Sequence, residues 1–171
     1  SGAAPTPEPS AFAQALTPLL KDRGLEILIE PGRSIVADAG ILLTRVLSVK
    51  PRAGRQIVVV DAGMTDLIRP ALYGAYHPIL PIDAAHSGRV PSDVVGPVCE
   101  SADAFARDRP LPPLKRGDLL EITHAGAYGL SMASNYNSRP RPAEVLIDGE
   151  GVRLIRRRET YDDLIATESA S

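Results

Sequence analysis

Four short segments of the chain hold the residues able to do chemistry. In "IEPGRSIVADAG", Glu30, a Pro31–Gly32 turn and Arg33 stand between an apolar run and a helix-like stretch. A buried strand that empties into a glycine turn and a helix start leaves backbone N–H groups unpaired. With an arginine beside them, such groups bind an anion. In "DAGMTDLIRPALYGAYHPI", Arg69 and Tyr73 are four residues apart. A helical turn puts both on one face, where a guanidinium and a phenol can grip a single carboxylate. "VGPVCESADAF" contains Cys99, the only cysteine, after a Gly-Pro turn and before Glu100, Ser101 and Asp103. A thiol there can donate or accept a proton, and Glu100 can bind a cationic group. In "HAGAYG", Gly126 and Gly129 bracket Tyr128. Glycines at that spacing permit close approach of the backbone to a ligand, and the phenol can hydrogen-bond a phosphate.

Each segment also has a purely structural reading. Arg33 fits a surface ion pair, Arg69 an arginine stacked on Tyr73, Cys99 a small buried hydrophobe, and Tyr128 a packed aromatic at a strand-end bulge. His77, His86 and His124 have no metal-ligand spacing and one cysteine makes no zinc knuckle, so no metal is expected. There is no P-loop, no Gly-x-Ser-x-Gly nucleophile turn and no glycine-rich dinucleotide fingerprint.

The elements that must position these residues follow from the pattern around them. At 171 residues and 44% hydrophobic, the chain is long enough for one ordinary domain and rich enough for a core. Its 19 Lys and Arg against 21 Asp and Glu leave no electrostatic footprint for nucleic acid or an anionic membrane. With no signal-peptide pattern and no long apolar span, a soluble cytoplasmic protein acting on small molecules or another protein is expected. Apolar residues at Phe12, Leu16, Leu19 and Leu20 predict a helix over Ser10–Arg23, capped by Ser10, ended before Gly24 and kinked at Pro18. "LEILIE", Leu25 to Glu30, reads as a strand buried on both faces, as in a parallel sheet. One helix–strand repeat closes neither a sheet nor a barrel, so residues 1–40 are expected to belong to a larger α/β body. "ILLTRVLSVKP", "RQIVVVDAG" and the start of "DLLEITHAGAYG" read as strands. "AEVLIDGEGVRLIRR" reads as a hairpin about Asp148–Gly151, and "ETYDDLIA" as a short helix. The expected plan is an α/β tail over residues 1–40 and an all-β domain over 41–171.

Taken in order and with their intervals, "EPGRSIVADAG", "DAGMTDLIRPALYGAYHPI", "GPVCESAD", "HAGAYG" and the following "SMASNYNSRPRPAEVL" resemble the C-terminal half of the diaminopimelate decarboxylases, from about Ala13 to "ETYDDLIA". The resemblance implies an alanine-racemase-like fold. Residues 1–40 would be the last helix–strand unit of a TIM-like barrel holding pyridoxal phosphate, followed by a β-sandwich or Greek-key barrel. It implies decarboxylation of meso-diaminopimelate to L-lysine and carbon dioxide. By resemblance, Glu30, Pro31, Gly32 and Arg33 bind the cofactor phosphate, and Arg33 also reaches the substrate. Arg69 and Tyr73 hold the substrate's distal carboxylate, Glu100 its distal ammonium, and Tyr128 touches both phosphate and substrate. Cys99 is similar to the family's proton donor. The Cys-Glu segment of this family enters the neighbouring subunit's site, which implies a homodimer with shared active sites. Ornithine and arginine decarboxylases typically carry Cys-Asp at that segment, so Cys99-Glu100-Ser101 points to the diaminopimelate branch. The chain's lysines, Lys21, Lys50 and Lys115, match no family lysine motif. The Schiff-base lysine and most of the barrel are therefore expected outside this chain, which alone should decarboxylate nothing. The competing expectations are a non-catalytic β-domain module for binding or dimerisation, and a related basic amino acid decarboxylase.

Overall fold

The computed structural model describes residues 7–82, 87–149 and 151–168, so His86 and Glu150 lie outside the described residues. The chain divides into two compact units, Ser1–Pro31 and Gly32–Ser171. In the first, α1 (Pro9–Leu20) starts on Pro9, whose fixed φ suits the first helical position, and Glu8 rather than Ser10 stands at the cap. Pro18 does not break this helix. It falls in the last turn, where the missing N–H costs one bond and the helix stops within three residues. The strand expected over Leu25–Glu30 does not form, and the whole run is exposed. A strand exists only with a ladder partner for its N–H and C=O groups, and the described residues of this unit supply none.

The second unit is built from strands whose residues alternate between core and surface. In β1 (Leu42–Arg52), Thr44 and Val46 point inward between exposed Leu43, Arg45 and Leu47. In β2 (Arg55–Val60), Gln56, Val58 and Val60 do the same. A tight turn joins them, with Ala53 at φ 44° and Gly54 at φ 78°. After α2 (Arg69–Tyr73) come β3 (Ile79–Pro81), β4 (Val90–Val95), β5 (Ala104–Leu111) and β6 (Leu119–Ile122). They form one six-stranded sheet in the order β3-β6-β1-β2-β4-β5. Every pairing is antiparallel except β2 with β4. The core joins Val46, Val58, Val60, Leu67, Ile79, Val94, Phe105, Leu120 and Ile122. Buried Gln56 costs little because its amide donates to Ser92 Oγ (2.9 Å) and Pro112 O (2.8 Å) and accepts from Leu114 N (3.1 Å).

The two edge strands, β3 and β5, are joined by a side chain instead of a ladder. Arg109 on β5 donates to the carbonyl of His77, two residues before β3, at 3.0 Å, and its guanidinium lies 3.9 Å from the Tyr76 ring centroid. With α2 packed on β5, this clasp curls the sheet into a nearly closed barrel. The expected hairpin is present as β7 (Glu144–Ile147) and β8 (Val152–Arg156), with Gly149 at φ 84°. The closing helix, α3 (Tyr161–Ile165), starts on a reciprocal Thr160–Asp163 capping box. No helix among the described residues is long and apolar enough to cross a membrane.

Replacing Arg109 by Ala removes a charge-assisted hydrogen bond and a cation–π contact, which together are worth about 1–3 kcal/mol. Urea unfolding of Arg109→Ala should show an unfolding free energy lower by that amount, read as a lower midpoint at unchanged slope.

Candidate active site

The strand directions send the second-unit site segments out of one end of the barrel. The start of β1 sits beside the end of β6, and the end of β2 beside the end of β4, where β5 begins. The segments 32–41, 61–78, 96–103 and 123–139 therefore emerge together. Among the described residues, the opposite end carries the Arg52–Arg55 turn and the 112–118 loop.

Two glycines weld the first of these segments to the fourth. Ala125 N donates to Gly40 O (2.8 Å) and Gly126 N to Ala37 O (3.0 Å). A Cβ on Gly40 would stand 2.5 Å from Gly126 Cα, and one on Gly126 would collide with the carbonyl of Val36. The close approach draws "HAGAYG" onto the chain that follows the Pro31–Gly32 turn. As a result the Tyr128 hydroxyl lies 3.8 Å from the position a Cβ on Gly32 would take. Both Gly32 (φ 57°) and Tyr128 (φ 62°) hold left-handed backbone, which for a tyrosine is sparsely populated and marks a conformation set by its surroundings.

Arg69 stands between two of the phenols. Its guanidinium carbon is 5.5 Å from the Tyr73 ring centroid, as the one-turn spacing predicts, and 5.7 Å from that of Tyr128. Its Nε is buried with no acceptor among the described residues. Beside this cluster His77 is fully buried, with Nδ1 2.9 Å from the Thr123 carbonyl. A carbonyl can only accept, so the proton of the neutral ring sits on Nδ1 and leaves Nε2 as a buried acceptor without a donor among the described residues. Burial lowers the His77 pKa against the pull of the Thr123 bond, and the positive charges of Arg33, Arg69 and His124 lower it further. Across the same end, His124 Nε2 lies 3.5 Å from Asp38 Oδ1.

Cys99 and Glu100 occupy an exposed loop between β4 and β5. Among the described residues, no hydrogen bond, ion pair or ring contact joins them to Arg33, Arg69, Tyr73 or Tyr128, and Glu100 Oε1 accepts only from Ala102 N, at 3.3 Å. Glu30 and Pro31 fall in the first unit, where Glu30 is exposed. From the sequence, His77 is dismissed as a metal ligand and Asp103 is taken as polar company for Cys99, and neither is given a role. Both are buried polar groups, and only His77, set among apolar residues ahead of β3, carries a local hint of it.

Fold and site together define a curled, mostly antiparallel β domain whose loops gather cations and phenols at one end. The family model described as the pyridoxal-dependent decarboxylase C-terminal sheet domain matches residues 22–126, and the chain belongs to that family. It is 51% identical over 164 residues to diaminopimelate decarboxylase of Neisseria meningitidis, covering 96% of this chain and 40% of that protein. To the Deinococcus radiodurans enzyme of the same name it is 57% identical, covering 85% of this chain and 38% of the relative. The crystal structure of Helicobacter pylori diaminopimelate decarboxylase complexed with L-lysine superposes with a TM-score of 0.86 at 47% identity, over 96% of this chain and 41% of that one. The chain thus spans about two fifths of the length of the relatives it matches.

The family's cofactor is pyridoxal phosphate, and the residues present fit its anionic part. Arg33 supplies a cation in the Gly32 turn, and Tyr128 supplies a hydroxyl beside it. No lysine joins this cluster from within the second unit. Lys50 is eight residues along β1 from Leu42, about 25 Å away at roughly 3.3 Å per residue. Lys115 is in the loop at the far end.

Because His77 is depressed in the folded state, its neutral form stabilises the fold fully above the unfolded pKa of about 6.5. That contribution is lost as pH falls through 6.5 towards the lower folded value. The stability gap between the parent and His77→Gln should therefore be widest near pH 7.5 and shrink towards pH 5, as read from urea midpoints across that range.

Proposed function

We propose that this chain is the C-terminal part of a pyridoxal phosphate-dependent enzyme that decarboxylates meso-2,6-diaminopimelate to L-lysine and carbon dioxide. The observation that carries the reading is Arg69, held between Tyr73 and Tyr128 beside the Gly32 turn with a buried donor to spare. It stands in a chain 46–57% identical to diaminopimelate decarboxylases. Bound pyridoxal phosphate supplies the electron sink for cleavage of the carbon–carbon bond. Arg33, Gly32 and Tyr128 hold the phosphate, with Glu30 and Pro31 completing their loop. Arg69 and Tyr73 hold the distal carboxylate and Glu100 accepts from the distal ammonium, so a substrate with a second amino acid centre is gripped at both charges. Cys99 keeps a proton at Sγ and delivers it to the carbon that has lost carbon dioxide.

Within this reading the first unit is the end of an α/β barrel. The apolar side chains of Phe12, Leu16, Leu19, Ile27, Leu28 and Ile29 are exposed, and Leu25–Glu30 lacks a ladder. A barrel portion carrying the lysine supplies their cover. Exposed Cys99 and Glu100, which make no contact with the other site residues described, serve the site of a second subunit in a cytoplasmic homodimer. The lack of a lysine at the cluster also favours a second reading, a non-catalytic β module for binding or dimerisation.

The chain alone should release no carbon dioxide from meso-diaminopimelate, whereas the full enzyme carrying it should. In that enzyme Cys99→Ala should lower kcat by about 10²–10⁴-fold, the usual share of a positioned proton donor, while the bound cofactor's visible absorbance persists. Arg69→Ala should raise KM by about 10–150-fold, the loss of one charged hydrogen-bonding partner. Undiminished turnover in Cys99→Ala would sink the thiol's role as proton donor, whereas a full enzyme that releases no carbon dioxide from meso-diaminopimelate, or a full reading frame with no barrel, would sink the decarboxylase reading in favour of the module.

A further inference from the structure

Asp103 is 4% exposed, and its carboxylate has no ion-pair partner among the described residues. Its charge is met by backbone instead. Oδ2 accepts from Val98 N at 2.7 Å, and Oδ1 accepts from Met64 N at 2.6 Å. The main chain of the same residue closes the loop from both sides: its N–H donates to Glu100 O (3.0 Å) and its carbonyl accepts from Gly96 N (3.0 Å). Glycines make room for the carboxylate. A Cβ on Gly96 would collide with it, and one on Gly63 would approach Oδ2 to 3.3 Å. Beyond Met64 the chain is equally fixed. Gly63 N donates to Asp66 Oδ2 at 2.8 Å and Leu67 N to Gly63 O at 3.2 Å, and Leu67 is buried two residues before Arg69.

Burying a carboxylate without a cation is a poor way to gain stability, because desolvation offsets much of what the hydrogen bonds return. What the arrangement does supply is geometry. One rigid group with two oxygens sets the distance between Val98, the residue before Cys99, and Met64, five residues before Arg69. We propose that Asp103 is a positioning residue that locks the Cys99–Glu100 loop to the turn from which the Arg69–Tyr73 segment departs. The inference rests on the decarboxylase reading for its effect on turnover, and on the hydrogen bonds alone for its effect on the loop. Asp103 touches no substrate. It acts by holding the thiol and the Glu100 carboxylate at a fixed place.

The test uses the full enzyme and two readouts. In the wild type, amide hydrogen exchange at Val98 and Met64 should be slow and of matching rate, and slower than at Ala102, whose N–H meets only the exposed Glu100. Fast or unmatched exchange overturns the lock whatever the variants do. In Asp103→Asn, which keeps one acceptor and loses the other, exchange at one or both amides should rise at least tenfold with strand amides unaffected. There kcat per cofactor-loaded site should fall about 10–100-fold, with KM for meso-diaminopimelate changed less than threefold. Asp103→Glu, which keeps the charge at a longer reach, replaces it if Asn prevents folding. A purely structural role predicts a lower thermal midpoint and faster exchange throughout, with kcat per loaded site unchanged, and that result overturns the proposal. Matched slow exchange in an enzyme that does not turn over meso-diaminopimelate would instead overturn the functional reading and leave the lock standing.

Discussion

The single parallel pairing, β2 with β4, decides where the chemistry of this domain can sit. Two strands that run the same way cannot be joined by a tight turn, so the chain must cross from the end of β2 back to the start of β4. That crossing is the stretch from Asp61 to Arg89, and it carries α2, His77 and β3. The same pairing brings the end of β4 level with the end of β2, so the Cys99 loop opens beside the crossing instead of at the far rim. An antiparallel β4 would have separated the arginine from the cysteine by the length of the sheet.

Buried polar groups then hold the loop end in shape. Thr44 Oγ1 donates to Asp61 Oδ1 at 2.6 Å and accepts from Ala62 N at 3.1 Å, pinning the point where β2 gives way to the crossing. Arg139 donates to Asp61 O (2.7 Å) and to Thr65 Oγ1 (3.3 Å), which fastens the 133–141 segment to the same place. Asp66 is half-buried nearby, and burial raises its pKa in spite of the Gly63 amide and the neighbouring arginine charges. These groups answer to backbone more than to each other. They specify loop positions in a region with few apolar contacts to do so.

Much of this was legible in the residues. The β1 and β2 strands show their alternation openly, Asp148–Gly151 announces a hairpin, and the Arg69–Tyr73 spacing sets the guanidinium over a phenol ring, the stacked pair that is the structural reading of that segment. Strands β4 and β5 were hidden. "VPSDVV" and "AFARDRPL" carry prolines and charges, and their pairing shifts register twice between Ser92 and Val95, which destroys a period of two. The opposite case is Leu25–Glu30, where apolar composition reads as a strand of a larger α/β body, and no strand forms where the described residues offer it no neighbour. The contact of Arg69 with Tyr128, from residues far apart in the chain, depended on the Gly40–Gly126 approach and had no local signal.

The rim opposite the loops has a different use. The Arg52–Arg55 turn is exposed, lies at the end of two long paired strands, and touches none of the segments around Arg69. Exposed turn tips of this kind tolerate added chain, because the ladder beneath them holds its register independently. A fluorescent label, an affinity tag or an inserted domain at Ala53–Gly54 would ride on the molecule as on a handle. The business end could then be watched or immobilised without being touched.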